Sequence, residues 1–320
     1  EGPMTLKENI LRQLLNQGDQ AISGQSLCDQ FGVSRTAVWK AIQALKKEGY
    51  LIEAKTNKGY QLLQDQDSLD ESHIRQYLKE DVPLYLFETI DSTNNYAKKI
   101  AIDGARHGSL IVANHQSAGR GRQGHTFYSP ADKGIYMTIL LRPKEPLQEL
   151  LKCTLAAGVA TCQAIEELCS IIPQIKWVND IFIDKKKICG ILTEATSDFE
   201  SQQIDSVIVG IGINCKPIQF PEELKKIAGS LDQQSLHRAA LVASIYTHFM
   251  HWMNQLSSPT LLDEYKKRSL LIGKEIIYTL NNEKKIGKVL DINQDGNLVL
   301  QQGNKTITLY SGEVSVKDWN

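Results

Sequence analysis

The stretch QSAGRGRQGHTFYSP, residues 116–130, sets Gly119, Gly121 and Gly124 at the spacing G-x-G-x-x-G and fills the gaps with Arg120 and Arg122. Glycine lets a backbone approach a ligand closely and take positive φ. Two guanidinium groups supply permanent charge and forked donors for carboxylate or phosphate. The pattern points to an anion held under a loop that closes over it and excludes water. The loop has three glycines and few large apolar anchors, so it is expected to move. Taken alone, it also reads as a surface turn with solvated arginines.

Other glycine-loop chemistries fail on context. A dinucleotide site needs a helix straight after the glycines. Here HTFYSPADKG follows, with Pro130 and Gly134, and then a strand. A kinase needs H-R-D and D-F-G. The nearest matches are His237-Arg238-Ala239 and Asp198-Phe199-Glu200, and no G-x-x-x-x-G-K-[ST] occurs.

Three further stretches carry chemistry. KWVNDIFIDKKKICGILTE, Lys176 to Glu194, sets Trp177, Asn179, Asp180 and Lys187 around a tight strand–turn–strand. Lys176 and Lys187 add cationic reach, and Asn179 and Asp180 suit orienting a ligand or binding magnesium. ETIDSTNNYAKK places Asp91-Ser92-Thr93-Asn94 at a strand-to-helix junction, where an N-cap cluster is the simplest reading. In VIVGIGINC, Gly210 and Gly212 permit close backbone approach and Asn214 offers an amide at a strand end.

These residues need a scaffold, and 320 residues are ample for two or three domains. A 42% hydrophobic and 23% charged composition is that of a globular protein with a sizeable core. The formal net charge of -1 confines any nucleic-acid surface to a local patch. No apolar run approaches the ~20 residues of a membrane span. Six cysteines without a C-x-x-C pair read as buried, reduced thiols of a cytoplasmic protein; no zinc site or disulfide framework is expected. Glu1-Gly2-Pro3 ahead of Met4 reads as a cloning remnant, and no secretory signal follows.

The pattern is that of an α+β multidomain chain. Residues 4–63 read as a winged helix-turn-helix. Leu6, Ile10, Leu11, Leu14 and Leu15 recur at helical spacing. Gly32 suits the turn, Ser34 caps a helix bearing Val38, Ile42 and Leu45, and Gly49 closes it. Thr56-Asn57-Lys58-Gly59 turns a hairpin. The candidate DNA-contacting residues are Arg35, Thr36, Trp39 and Lys40 near the start of the second motif helix and Lys55 and Lys58 on the hairpin, with Lys46 and Lys47 adding charge. Protein contact or dimerisation is the alternative use of such a module.

Residues 64–71 read as a polar linker or helix entry. Residues 72–272 form a mixed α/β block with a long apolar helix from about Leu147 to Ser170 and helices over Ser235–Leu256 and Leu261–Ser269. From 273 to 320, short strands broken by Asn281-Asn282, Asp295-Gly296 and Gly303-Asn304 suggest a small β-barrel.

Together the four stretches resemble the bacterial biotin–protein ligase family, whose marks are D-S-T-N, Q-x-A-G-R-G-R-x-G, K-W-P-N-D with a downstream lysine before x-x-G-I-L-x-E, and G-x-G-I-N. They stand here as Asp91–Asn94, Gln116–Gly124, Lys176–Asp180 with Lys187–Glu194, and Gly210–Asn214. The closing GEVSV is similar too, and the winged helix resembles the longer members that also repress biotin operons. Val178 replaces the usual proline, Gln123 and His125 replace basic residues, and Phe127 replaces tryptophan.

The resemblance implies a catalytic block related to class II synthetase-like folds and an SH3-like C-terminal barrel. It implies that biotin and ATP form biotinyl-5′-AMP and that a lysine of a biotin carboxyl carrier domain, as in acetyl-CoA carboxylase, then takes the biotin. It assigns Ser92, Thr93, Asn94, Gln116, Gly119, Arg120, Gly121, Arg122 and Lys187 to biotin. It assigns Arg122, Trp177, Asn179, Asp180 and Asn214 to the nucleotide with Mg2+, and Lys187, Arg122 and Arg120 to catalysis. Operator DNA and a homodimer complete the implied partners. A repressor that only senses biotin, or a ligase for another acid such as lipoate, are the rival readings.

Overall fold

The computed structural model describes residues 3–18, 20–48, 50–63, 67–79, 81–144, 150–201, 203–234 and 236–319. The helix stop at Gly49, the start of the expected linker at 64–66, and the expected helix starts at Leu147 and Ser235 lie outside them. The chain divides into two compact units, Glu1–Asp81 with His237–Ala243, and Val82–Leu236 with Ser244–Asn320.

In the first unit α1 (Leu6–Gln17) opens with a capping box: Thr5 Oγ1 accepts the Glu8 amide and the Thr5 amide donates to the Glu8 carboxylate at 2.7 Å. Ile10, Leu11 and Leu14 form its buried face. α2 (Gly24–Phe31) is capped by Ser23 and ends at Gly32 in the left-handed conformation. α3 (Arg35–Lys47) is capped by Ser34 and buries Val38, Ala41, Ile42 and Leu45. β1 (Ile52–Lys55) and β2 (Gly59–Leu62) form the expected hairpin. Its return strand also pairs with Ile22 through reciprocal 2.8 Å bonds to Tyr60. Gly59 has φ +100°, and a Cβ there would lie 2.0 Å from the Ile22 carbonyl oxygen, so only glycine fits.

The unit continues past residue 71 through α4 (Glu71–Tyr77), whose N-cap is Asp70. Buried His73 stacks on Tyr50 with ring centroids 4.7 Å apart.

The second unit is organised by β3 (Leu84–Ile90), β4 (Ser109–Gln116), β5 (Gly134–Leu141), β6 (Gln174–Lys176), β7 (Asp180–Ile183), β8 (Lys186–Ser197) and β9 (Ile204–Asn214). They form one sheet in the order β3-β4-β5-β9-β8-β7-β6, parallel between β3 and β4 and antiparallel elsewhere. α5 (Thr93–Ile102) connects β3 to β4 and packs Ala97, Ile100 and Ala101 against Ile111, Leu140 and Ile208. α6 (Leu150–Cys169) is buried along most of its length, as its apolar composition requires. α7 (Arg238–Met253) and α8 (Pro259–Lys267) follow.

β10 (Glu275–Leu280), β11 (Glu283–Ile292), β12 (Leu298–Gln302), β13 (Lys305–Leu309) and β14 (Val314–Val316) make a five-stranded antiparallel sheet in the order β13-β12-β11-β10-β14. β13 and β14 are its edges, so this is a small open sheet, where the spacing had suggested a barrel. The Asn281-Asn282 turn joining β10 to β11 has positive φ at both residues, as a tight hairpin demands. Among the described residues no helix is long and apolar enough to cross a membrane.

Candidate functional site

In the second unit the start of α5, the end of β4, the glycine loop, strands β5, β8 and β9 and residues 312–315 enclose a cavity of about 330 Å³. It has a neutral floor and a charged rim.

The floor is made where α5 meets the sheet. Ser92 caps α5, and Ser92, Thr93 and Asn94 are buried. The Thr93 amide donates to Gln116 Oε1 at 2.9 Å, and Gln116 Nε2 donates to Ser129 Oγ at 3.0 Å. The Ser129 hydroxyl donates to the Phe127 carbonyl at 2.9 Å. Asn94 Nδ2 donates to the Leu192 carbonyl and the Glu194 carboxylate, at 3.3 and 3.1 Å. Thr138, fully buried on β5, brings its hydroxyl within 2.7 Å of Asn94 Oδ1 and 2.8 Å of Thr93 Oγ1.

Gly210 and Gly212 were expected to admit close approach, and they do, but the approaching groups are the protein's own. A Cβ at Gly210 would lie 2.3 Å from Asn94 Oδ1, and one at Gly212 would lie 2.7 Å from the Phe127 ring.

The glycine loop folds back on itself. Gly121 N–H donates to the His125 carbonyl at 2.8 Å, Phe127 N–H donates to the Gly119 carbonyl at 2.9 Å, and Arg120 bridges to Thr126. Gly119 does not line the cavity. It makes the fold-back possible, since a Cβ there would lie 2.5 Å from Phe127 O and Ser129 Oγ. Few apolar anchors were expected in the loop, and Phe127 is the one that acts: it seats over bare Gly212, edge-on to Tyr136 at 6.4 Å, and fastens the loop's second half.

On the rim, Arg120 donates to Glu194 at 2.7 and 3.2 Å and to Asn95 Oδ1 at 2.8 Å. Lys98 pairs with the same carboxylate at 2.6 Å. Burial would raise the Glu194 pKa, but hydrogen bonds from Arg120, Lys98 and Asn94 outweigh it and hold the carboxyl below its ordinary value. Arg122 donates to Asn179 Oδ1 at 3.3 Å, and Asn179 Nδ2 donates to the Ile191 carbonyl at 2.8 Å. Lys187 Nζ lies 3.0 Å from Asp180 Oδ1. Lys176 also lines the cavity. Its pKa is lowered by burial first, with Asp180 and Glu313 opposing and Lys187 assisting. Trp177 is buried in the wall and donates its indole N–H to the Gly296 carbonyl at 2.9 Å. The Tyr265 hydroxyl donates to the carbonyl of buried Val178 at 3.1 Å, on the turn where a proline had been the norm.

The cavity thus gathers Ser92, Thr93, Asn94, Gln116, Arg120, Gly121, Arg122, Trp177, Asn179, Asp180 and Lys187. Asn214 stands outside it, where Nδ2 donates to the Gly229 carbonyl at 2.9 Å. Thr138, Lys98, Glu194 and Glu313 were missed as site residues. Thr138 is a small hydroxyl in the apolar run of β5, and that oddity was the available signal. Glu194 and Glu313 sit inside the quoted motifs, but nothing local says what they face.

In the first unit Arg35, Thr36, Trp39 and Lys40 are exposed on the first turns of α3, and Lys55 and Lys58 are exposed on the hairpin. Arg35 is steadied by Gln25 Oε1 at 2.9 and 3.2 Å, and Trp39 leaves half its surface in solvent.

A sequence model of the biotin/lipoate A/B protein ligase family matches residues 86–214, a model of an HTH domain matches 7–61, and one of the biotin protein ligase C-terminal domain matches 271–317. The chain is 39% identical to the bifunctional ligase/repressor BirA of Bacillus subtilis over 98% of its length and 99% of that protein. It is 30% identical to a biotin–[acetyl-CoA-carboxylase] ligase of Mycobacterium tuberculosis, over 70% of this chain and 85% of that one. The structure of biotin protein ligase from Aquifex aeolicus in complex with biotin and ATP superimposes with a TM-score of 0.62 at 27% identity, covering 73% of this chain and 98% of that one.

Proposed function

The chain belongs to the bifunctional ligase/repressor family of biotin–protein ligases, and from that membership we propose that it activates biotin with ATP, transfers it to a lysine of an acceptor protein, and binds DNA to repress biotin genes. The observation that carries the ligase half is one cavity with a neutral hydrogen-bonding floor and the four cations Arg120, Arg122, Lys176 and Lys187 around it. The floor suits a cyclic urea, which offers donors and an acceptor. The dithiolane of lipoate offers no N–H or C=O, which disfavours a lipoate ligase. A pure sensor would have no use for so many cations at one anion site.

In the first step a biotin carboxylate oxygen bonds to the α-phosphorus of ATP, the α–β phosphoanhydride bond breaks, and pyrophosphate leaves. In the second step the acceptor amine bonds to the acyl carbon and AMP leaves with the bonding pair. Both reactants of the first step are anions, so preorganised cations lower their repulsion and stabilise developing charge. We assign that task to Lys187 and Arg122, and place Arg120 at the biotin end, where Glu194 and Asn95 orient it. Ser92, Thr93 and Gln116 face the urea. Asn94 has every polar atom engaged within the protein and supports them. Asn179, Asp180 and Trp177 lie toward the nucleotide. The Gly119–Gly121 fold-back shelters the anhydride from water.

Asp180 fits a magnesium ion: its Oδ1 is buried and its partner is the Lys187 ammonium at 3.0 Å, a cation that a metal ion can displace. One or two carboxylates suit an ion delivered on nucleotide phosphates, whose charge it would neutralise. The acceptor is the carrier domain of a biotin-dependent carboxylase such as acetyl-CoA carboxylase, and the setting is the cytoplasm. Residues 4–63 act as the DNA-binding domain, 64–71 as linker, 72–272 as a catalytic domain related to class II synthetase-like folds, and 273–320 as an SH3-like module. Operator binding uses a homodimer, because one winged helix covers a half-site and two read half-sites in register.

Purified protein will exchange labelled pyrophosphate into ATP only with biotin present. Exchange with another acid and none with biotin overturns the ligase half. In gel shifts Arg35→Ala will weaken binding to the protein's own biotin-gene promoter, lower the salt dependence by roughly one phosphate contact, and leave exchange near normal. Wild-type binding to that promoter no tighter than to random DNA overturns the repressor half.

A further inference from the structure

We infer that Trp39 reads a thymine in the operator: its indole ring covers the thymine C5-methyl group, and its N–H donates to thymine O4 in the major groove. The inference rests on the repressor reading of the first unit and adds the base that one of its side chains selects.

One side of α3, formed by Val38, Ala41, Ile42 and Leu45, is buried in the core of the first unit. Arg35, Thr36, Trp39, Lys40, Lys46 and Lys47 are exposed. Residues four apart are neighbours along a helix, so Arg35, Trp39 and Gln43 stand in one row and Thr36 and Lys40 in the next. The helix holds no acidic residue, and Glu48 just beyond it is paired with Lys7. Such a face suits a polyanion, and its cations suit phosphates. Trp39 does not share that task. It is uncharged, yet 52% of it is exposed. A lone apolar side chain is ordinary on a protein surface. This one stands near the start of the second motif helix, where a helix-turn-helix meets base edges.

An indole offers a broad apolar ring and a single N–H donor, and it has no acceptor. In the major groove guanine shows two acceptors, adenine an acceptor and an amino donor, and cytosine an amino donor. None of these edges carries an apolar group, and the amino groups of adenine and cytosine would meet a side chain that accepts nothing. Thymine shows a methyl group beside one acceptor, O4. It alone matches both parts of Trp39. Thr36 and Gln43 can each donate and accept, so they set no such demand on the bases they face. Lys40, Lys46 and Lys47 hold phosphates and fix how deeply the helix sits, which gives affinity without sequence preference.

The test is a gel shift, with biotin and ATP present, on the protein's own biotin-gene promoter. Each thymine that the protein protects is replaced in turn by uracil, which lacks the methyl group and keeps O4. Wild-type protein should lose affinity by about fourfold for at least one thymine in each half-site, the worth of one buried methyl group. Trp39→Ala should bind the unmodified promoter more weakly and should not distinguish thymine from uracil at that position. Trp39→Phe keeps an apolar ring and should keep the discrimination. Trp39→Gln keeps a donor without the ring and carries the alanine expectation where the alanine variant does not fold. Uracil tolerated by the wild type at every thymine overturns the inference. So does a folded alanine or glutamine variant that loses the same factor on uracil, since the preference would then lie in DNA shape. A wild type that binds this promoter no tighter than random DNA overturns the repressor reading, and the inference with it.

Discussion

The floor and the rim of the cavity are built on opposite plans. The floor is uncharged, buried and closed on itself: each polar atom of Asn94 has a partner inside the protein, and Thr138 and Gln116 are turned by their neighbours. The rim is cationic and partly exposed, and among the described residues its groups have few partners. Arg122 makes one 3.3 Å bond and Lys187 one ion pair. A neutral head group is recognised by fixed hydrogen-bond polarity, which needs rigidity. Repulsion between two anions is overcome by charge, which tolerates looser geometry and must let pyrophosphate go. Arg120 is the exception, a rim cation clamped by Glu194, which also holds the floor through Asn94.

Removing rim charge should give the largest effect. Lys187→Ala and Arg122→Ala should each slow adenylate formation by roughly 10²–10³, measured by single-turnover kinetics, while equilibrium binding of biotin alone changes far less. Equal losses in biotin binding and in rate would erase the distinction between floor and rim.

A floor change of one methyl group comes next. Gly210→Ala would set a Cβ 2.3 Å from Asn94 Oδ1 and should cost about 1–3 kcal/mol of stability in thermal or denaturant unfolding, as overpacking of a close-packed interior does. Biotin affinity should fall with it. An alanine variant with wild-type stability and affinity would show that the floor yields.

The smallest effect belongs to the clamp that joins the two. Glu194 is held below the ordinary carboxylate pKa in the folded chain. Its contribution is therefore complete above the unfolded value and is lost as pH falls through the folded one. Glu194→Gln should lower stability at neutral pH by about 1 kcal/mol, in keeping with a partly screened ion pair, and flatten the acid limb of the stability–pH curve. An unchanged acid limb would mean that Arg120 and Lys98 do not depend on that carboxylate.

What could be read before folding was whatever is local. Capping residues such as Ser34, the Thr56–Gly59 turn and apolar periodicity placed the helix-turn-helix, the hairpin and most strands. The motif set located the loop, Lys187 and the Asp91–Asn94 corner. The missing parts depend on contacts far apart in the chain. Glu194 meets Arg120 across 74 positions and Asn94 across 100. Gly210 and Gly212 looked like ligand-facing glycines because their real neighbours, Asn94 and Phe127, arrive from other elements. Asn214 shares a motif with them and, by strand alternation, a face, but it is the last residue of β9 and its side chain turns to the Gly229 carbonyl. α4 hid in a short polar stretch too brief for a periodic signal.

The meeting of Asn94, Thr138 and Gly210 has a consequence for how such a site can change over generations. Substitutions among three touching residues are not additive. A larger residue at 210 is penalised while Asn94 stays, and a shorter one at 94 opens a void and strands the Thr138 proton while Gly210 stays. A lineage moving toward another head group must therefore cross an unfavourable single-substitution step or change two of the three together. Gln123 and His125, loop residues outside this cluster, can by contrast change one at a time without disturbing it.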